Sequence, residues 1–120
     1  MKKIFILMTI LTLASCSGSE DIIKYKYEKI DNEKMATLMH EKEYIVIDLR
    51  SKEEFSGFHI KDAINISHDK INEAILPTAE IIFVYCASGT RSKIAAEELL
   101  KLGYEVYDLG GIDNIELEKE

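Results

Sequence analysis

From Tyr27 onward, short apolar runs alternate with stretches of helical spacing. Tyr27 to Ile30 can form a short first strand. Asp31 or Asn32 can cap a helix through about Glu41, with Met35, Leu38 and Met39 on one face. Tyr44 to Leu49 is apolar except for Asp48, the pattern of a strand buried on both faces. Ser51-Lys52-Glu53-Glu54 is a capping-box pattern that opens a short helix. Ala63 to Ile66 reads as a strand, and Asp69 to Leu76 as a helix stopped by Pro77. Ile81 to Tyr85 is the most hydrophobic strand. Arg91 to Leu102 reads as a helix with Ile94, Ala95, Leu99 and Leu102 along a stripe, ended by Gly103 as a left-handed cap. Tyr104 to Leu109 is the last strand, and Gly110-Gly111 turns into a short acidic tail. Alternating strand and helix predicts an α/β domain over residues 27–120, with a mostly parallel five-stranded sheet and helices on both faces.

The first 15 residues have a different pattern. Lys2 and Lys3 precede an apolar stretch, Ile4 to Leu13, too short to span a bilayer as a stable helix. It ends in Leu13-Ala14-Ser15-Cys16, which resembles the lipobox of bacterial lipoproteins. That resemblance implies a signal peptide over residues 1–15, cut before Cys16, with lipid on Cys16. Residues 16–26 then form a polar tether that holds the domain at a bacterial membrane, outside the cytoplasm. The remaining 105 residues suit one domain with a modest core. Losing Lys2 and Lys3, with no acid lost, moves the formal charge from −7 to −9. So acidic a chain argues against nucleic acid as a partner and against electrostatic adhesion to anionic lipid.

With Cys16 committed to lipid, Cys86 has no partner in the chain, which suggests a reactive thiol or an intermolecular bridge. Cys86 follows the strongest strand and starts Cys86-Ala87-Ser88-Gly89-Thr90-Arg91-Ser92, after which a helix begins. Backbone N–H groups and the helix dipole at such a junction favour negative charge, and the thiolate is the nucleophilic form of cysteine. Gly89 permits the backbone angles of an anion-binding nest. Ser88, Thr90 and Ser92 add hydroxyls, and Arg91 adds a cation. A small buried hydrophobe is the bland alternative for a free cysteine, but it fits poorly beside so polar a loop. Ligands of parallel sheets gather at the carboxyl ends of the strands, which brings Asp48, Arg50 and Cys86 to one edge.

The loop resembles that of rhodanese-like sulfurtransferases, often Cys-Arg-x-Gly-x-Arg-Ser, through Cys86, Gly89, Arg91 and Ser92. Asp48-Leu49-Arg50, Glu53-Glu54-Phe55, His59-Ile60 and Ala63-Ile64-Asn65-Ile66 are similar to a second family signature. Leu109-Gly110-Gly111-Ile112 is similar to a closing Gly-Gly turn. The resemblance implies a single rhodanese-like domain in which the Cys86 thiolate takes the outer sulfur of a thiosulfate-like or polysulfide donor. The loop from Ala87 to Ser92 would cradle the persulfide, and a thiophilic acceptor would remove the sulfur. It also implies that Asp48 and Arg50 support the pocket wall, for which a structural network is an equally good account. Ala87 replaces the usual arginine after the cysteine, and Thr90 is less basic than in many members, so a donor anion meets fewer cations. Phe58 and Asp62 stand where glycines are common, and Ile115 stands near the place of a frequent tryptophan. His59 is expected as a hydrogen-bonded turn residue, His40 and His68 as solvated, and the run from Glu116 to Glu120 as a solvated end. No Cys/His spacing suggests a metal, and no cofactor is expected. Protein tyrosine phosphatases place their arginine six positions after the cysteine. Here position six is Ser92, which ranks that activity low. The main competing reading is a non-enzymatic persulfide carrier, or an exported thiol-redox or binding module.

Overall fold

The computed structural model describes residues 24–120. The export signal, Cys16 and most of the tether lie outside the described residues. Four strands, β1 (Tyr44–Asp48), β2 (Ile64–Asn65), β3 (Ile81–Cys86) and β4 (Val106–Gly111), form a parallel sheet in the order β2-β1-β3-β4. The helices are α1 (Asn32–Glu41), α2 (Lys52–Gly57) and α3 (Thr90–Lys101). The central strand β3 is buried at every position, as its uninterrupted apolar sequence requires.

Side chains alternate across the sheet and build two cores. Val46, Ile81, Phe83 and Tyr85 pack with Met35 and Leu38 of α1. Ile47, Ile82, Val84 and Cys86 pack with Ala95, Ala96, Leu99 and Leu100 of α3. Local chemistry starts the helices as the sequence implies. The Asp31 side chain accepts from Lys34 N at 2.8 Å at the head of α1, and the Ser51–Glu54 capping box opens α2. Gly103 follows α3 with φ +98°, the left-handed conformation expected of it.

Several expectations need correction. Tyr27 to Ile30 makes only an isolated parallel bridge, Lys29 with Asp108, so the sheet of the described residues has four strands rather than five. Asp69 to Leu76 is not an α-helix: a 3-10 segment covers His68–Glu73, and the chain is irregular from there towards Pro77. The buried stripe of α3 is Ser92, Ala95, Ala96, Leu99 and Leu100, while Ile94 and Leu102 are each 56% exposed. Two adjacent alanines let α3 lie close to β3, and that proximity turns the larger Ile94 outward. Gly110-Gly111 is not a turn but the end of β4, where Leu109 is the extra residue of a β-bulge between the pairs Val84–Asp108 and Tyr85–Gly110. The run from Glu116 to Glu120 is solvated as expected, with only Leu117 half-buried, but its backbone is also tied down: His59 N donates to Glu120 O at 2.9 Å, and Lys61 N donates to Glu118 O at 2.8 Å.

Candidate functional site

Cys86 is the last residue of β3, paired with Gly111 of β4. The chain then arches through Ala87 and Ser88 to Gly89, whose φ of +99° reverses it into α3. A left-handed residue here suits glycine, because any Cβ would bring strain. The arch turns two backbone donors onto sulfur. Gly89 N lies 3.0 Å from Cys86 Sγ, and Ser92 N lies 3.3 Å from it. The Ser92 hydroxyl donates to Gly89 O at 3.1 Å and closes the arch from below. Burial pushes the Cys86 thiol up; the hydrogen bonds of the arch, those from Ser92 first and then Gly89, outweigh it, and the net direction is down.

Cys86 itself is fully buried beneath this arch, which is more enclosed than an accessible thiol at a strand edge. The cause is its place at the end of the central strand, under α3. Ala87, Ser88 and Thr90 are exposed and form the rim, with Gly89 and Arg91 half-buried between.

The bulge in β4 is the bed of the arch. Gly110 N donates to the buried Asp108 carboxylate at 2.8 Å, and Tyr27 donates its hydroxyl to the same carboxylate at 2.6 Å. A Cβ on Gly111 would stand 2.7 Å from Ala87 O, and one on Gly89 would meet Gly110 Cα at 3.6 Å. Gly111 therefore serves the close approach of β4 to the loop, while the contact at Gly89 is an ordinary one.

Arg91 leaves the thiol loop and reaches α2. Its NH1 and NH2 groups donate to the two carboxylate oxygens of Glu54 at 3.0 and 3.3 Å. Those hydrogen bonds, with backbone donation from Ser51, hold the Glu54 carboxyl down at about 2. Glu54 thus caps α2 and anchors the thiol loop at once. The sequence marks only the first role, through the capping box; nothing local in it marks the second.

Asp48 and Arg50 stand at the same sheet edge but on the other face. Asp48 shares the α1 side with Tyr85, whose hydroxyl donates to Asp48 Oδ2 at 2.6 Å and accepts from Ile60 N at 3.0 Å. Arg50 donates to both Asp48 oxygens at 2.8 to 3.1 Å and to Phe58 O at 2.6 Å. Asn65 Nδ2 donates to the carbonyls of Asp48 and Arg50 at 3.1 and 3.0 Å. These contacts tie β1, β2, β3 and the turn before Ile60 together. The Tyr85 hydroxyl is a member that the apolar strand pattern hides. His59 is a turn residue, with Nδ1 2.9 Å from Phe55 O and its ring stacked on Phe55. His40 and His68 are exposed.

Comparisons with known proteins agree with this architecture. The sequence model of the Rhodanese-like domain matches residues 31–118. The Candida albicans protein "Adenylyltransferase and sulfurtransferase UBA4" is 31% identical over 105 residues, covering 78% of this chain and 24% of that protein. "Thiosulfate sulfurtransferase PspE" of Escherichia coli is 33% identical over 78 residues, covering 61% of this chain and 75% of that protein. The solved structure "rhodanese with anions from E. coli" superposes with a TM-score of 0.59 at 32% identity, covering 64% of this chain and 96% of that one. The chain spans between 23% and 35% of the length of the first three curated relatives it matches. With a matched segment that runs from the head of α1 almost to the end of the chain, the protein belongs to the rhodanese-like domain family.

Proposed function

We propose that this protein is a sulfurtransferase that moves sulfane sulfur from a small donor to a thiophilic acceptor through a persulfide on Cys86. The observation that carries the reading is the thiol held by two inward backbone donors, Gly89 N and Ser92 N, at the junction of β3 and α3. Donors fixed in this way stabilise a thiolate before attack and a persulfide anion after it, with little reorganisation between the two. In the first step the Cys86 thiolate attacks the outer sulfur of the donor. One S–S bond forms as the donor's own S–S bond breaks, and sulfite leaves if the donor is thiosulfate. In the second step an acceptor such as cyanide attacks the outer sulfur of the Cys86 persulfide. Thiocyanate leaves, and the thiolate returns. The exposed rim of Ala87, Ser88 and Thr90 is the side from which both reactants approach. The similarity to PspE and UBA4, both named as sulfurtransferases, supports this class of reaction. The Leu13-Ala14-Ser15-Cys16 segment supports an exported form held at a membrane by lipid on Cys16.

Intact-protein mass spectrometry tests the chemistry. Incubation with thiosulfate or an alkyl persulfide adds about 32 Da, one sulfur atom. Cyanide removes the addition with release of thiocyanate, and Cys86→Ser acquires none. An adduct that only a protein partner discharges replaces the enzyme with a sulfur carrier. No adduct from any donor defeats both readings.

A further inference from the structure

The thiol loop contains one cation, and Glu54 withholds it. Arg91 is the only basic residue between Ala87 and Ser92, and both of its terminal nitrogens engage the Glu54 carboxylate. Arg50, at the same sheet edge, is consumed by Asp48 and by Phe58 O. Ala87, at the rim, brings no charge. The two arginines and two carboxylates cancel, in a chain whose formal charge is −7. Once Cys86 ionises, the site carries net negative charge.

We propose that Glu54 is a specificity-determining residue that, by holding Arg91, turns the site from the thiosulfate dianion towards alkyl persulfides of low charge. The inference rests on Cys86 acting as the nucleophile. With the favoured donor, Cys86–S⁻ attacks the outer sulfur of R–S–SH. The new bond is Cys86–S–SH, the donor's S–S bond breaks, and R–S⁻ leaves with the electron pair. With thiosulfate, Cys86–S⁻ and S–SO₃²⁻ give Cys86–S–S⁻ and SO₃²⁻. Both steps balance without a further oxidant or reductant. They differ in bringing a dianion, rather than a neutral or singly charged species, against an ionised thiol whose loop cation, Arg91, is held by Glu54.

The test is the second-order rate constant for loading Cys86, read by mass, with thiosulfate and with 2-hydroxyethyl persulfide. The wild-type protein loads faster from the persulfide, and its thiosulfate rate rises with added salt, as for like charges. Glu54→Gln keeps an oxygen that accepts from Arg91 but removes the carboxylate charge. The ratio of thiosulfate to persulfide rate then rises about tenfold, the scale of one charge in a half-buried site, and the salt dependence weakens or reverses. Ala87→Arg adds a cation at an exposed position without touching α2, and it raises the same ratio even if Glu54→Gln loosens the loop. Lys29 is a further cation, close to Gly110 and paired with no carboxylate among the described residues. Lys29→Gln leaves the ratio unmoved.

Equal loading by both donors, with a thiosulfate rate that falls with salt, overturns the proposal while leaving sulfur transfer intact. So does a ratio unmoved in both Glu54→Gln and Ala87→Arg, or one that collapses in Lys29→Gln. Absence of loading from either donor overturns sulfur transfer itself, and this proposal with it.

Discussion

Gly111→Ala isolates the effect of one methyl group on the thiol. Gly111 has φ −88° and ψ 143°, angles that alanine adopts without strain. The substitution is therefore purely steric. The new Cβ would lie 2.7 Å from Ala87 O and 3.2 Å from Ser88 Cα. A relaxed carbon–oxygen contact needs about 3.3 Å, so something must retreat by about 0.6 Å. The β4 side is held by its pairing with Cys86 and by the Gly110–Asp108 hydrogen bond at 2.8 Å. The exposed loop gives way instead. Gly89 N, two residues beyond Ala87, now stands 3.0 Å from sulfur. A retreat of that size lengthens this contact to about 3.6 Å, which weakens the donation to sulfur. A hydrogen bond to a charged acceptor is worth about 1.5–3 kcal/mol when whole, and weakening it moves the thiol pKa upward. Overpacking itself costs about 1–3 kcal/mol of stability. The assay is the pH dependence of carbamidomethylation by iodoacetamide, with urea unfolding in parallel. The wild-type midpoint falls below that of a free thiol, the variant midpoint rises towards or past it, and the variant remains folded at neutral pH. A variant with the wild-type midpoint refutes the argument that the bed of glycines sets the thiol chemistry.

Three other outcomes follow from the same contacts. Tyr85→Phe removes one of the donors to the buried Asp48 carboxylate and strands the Ile60 amide, and it lowers the urea-derived stability by about 1–3 kcal/mol; a loss under about 0.5 kcal/mol contradicts the network. Arg50→Met leaves Asp48 charged and fully buried without its guanidinium, a loss of about 3–5 kcal/mol by the same measurement. Glu54 is held at about 2, first by the Arg91 hydrogen bonds, against an ordinary 4.5. A carboxyl lowered on folding stabilises the protein fully above its unfolded value and loses that contribution as pH falls through the folded one. The Arg91 anchor therefore persists in the folded protein until the pH nears 2, while its contribution to stability fades between about 4.5 and 2. A carboxyl NMR titration of Glu54 with a midpoint near 4.5 contradicts it.

What could be read from the sequence was whatever depends on neighbours along the chain. The apolar run Ile81 to Tyr85 and the capping signals at Asp31 and Ser51 place their elements where the structure has them. The errors arise where distance in sequence hides distance in space. A Gly-Gly pair signals a turn as readily as a bulge, and only the approach of Ala87 O to Gly111 decides between them. Ile94 outranks Ala95 and Ala96 in hydrophobicity, yet the close seat of α3 on the sheet favours the small side chains. Glu54 was already explained by the capping box, and that local role conceals its pairing with Arg91, 37 residues away.

The shared edge of Asp48, Arg50 and Cys86 was foreseeable from the topology, but the division between its faces was not. Strand register pairs Asp48 with Tyr85, not with Cys86. Alternation then sends Tyr85 to the α1 side and Cys86 to the α3 side. The buried network consequently grips the residue immediately before the nucleophile. Leu49 N donates to Tyr85 O at 2.9 Å while the Tyr85 hydroxyl holds Asp48 and Ile60 N, so both ends of Tyr85 are fixed. A fixed Tyr85 backbone fixes the direction in which the Cys86 Cα–Cβ bond leaves the sheet. Asp48 and Arg50 therefore act on the thiol through the strand that carries it, and the Glu54–Arg91 pair acts on the loop that covers it. Changes to the first pair are expected in stability, and changes to the second in choice of donor.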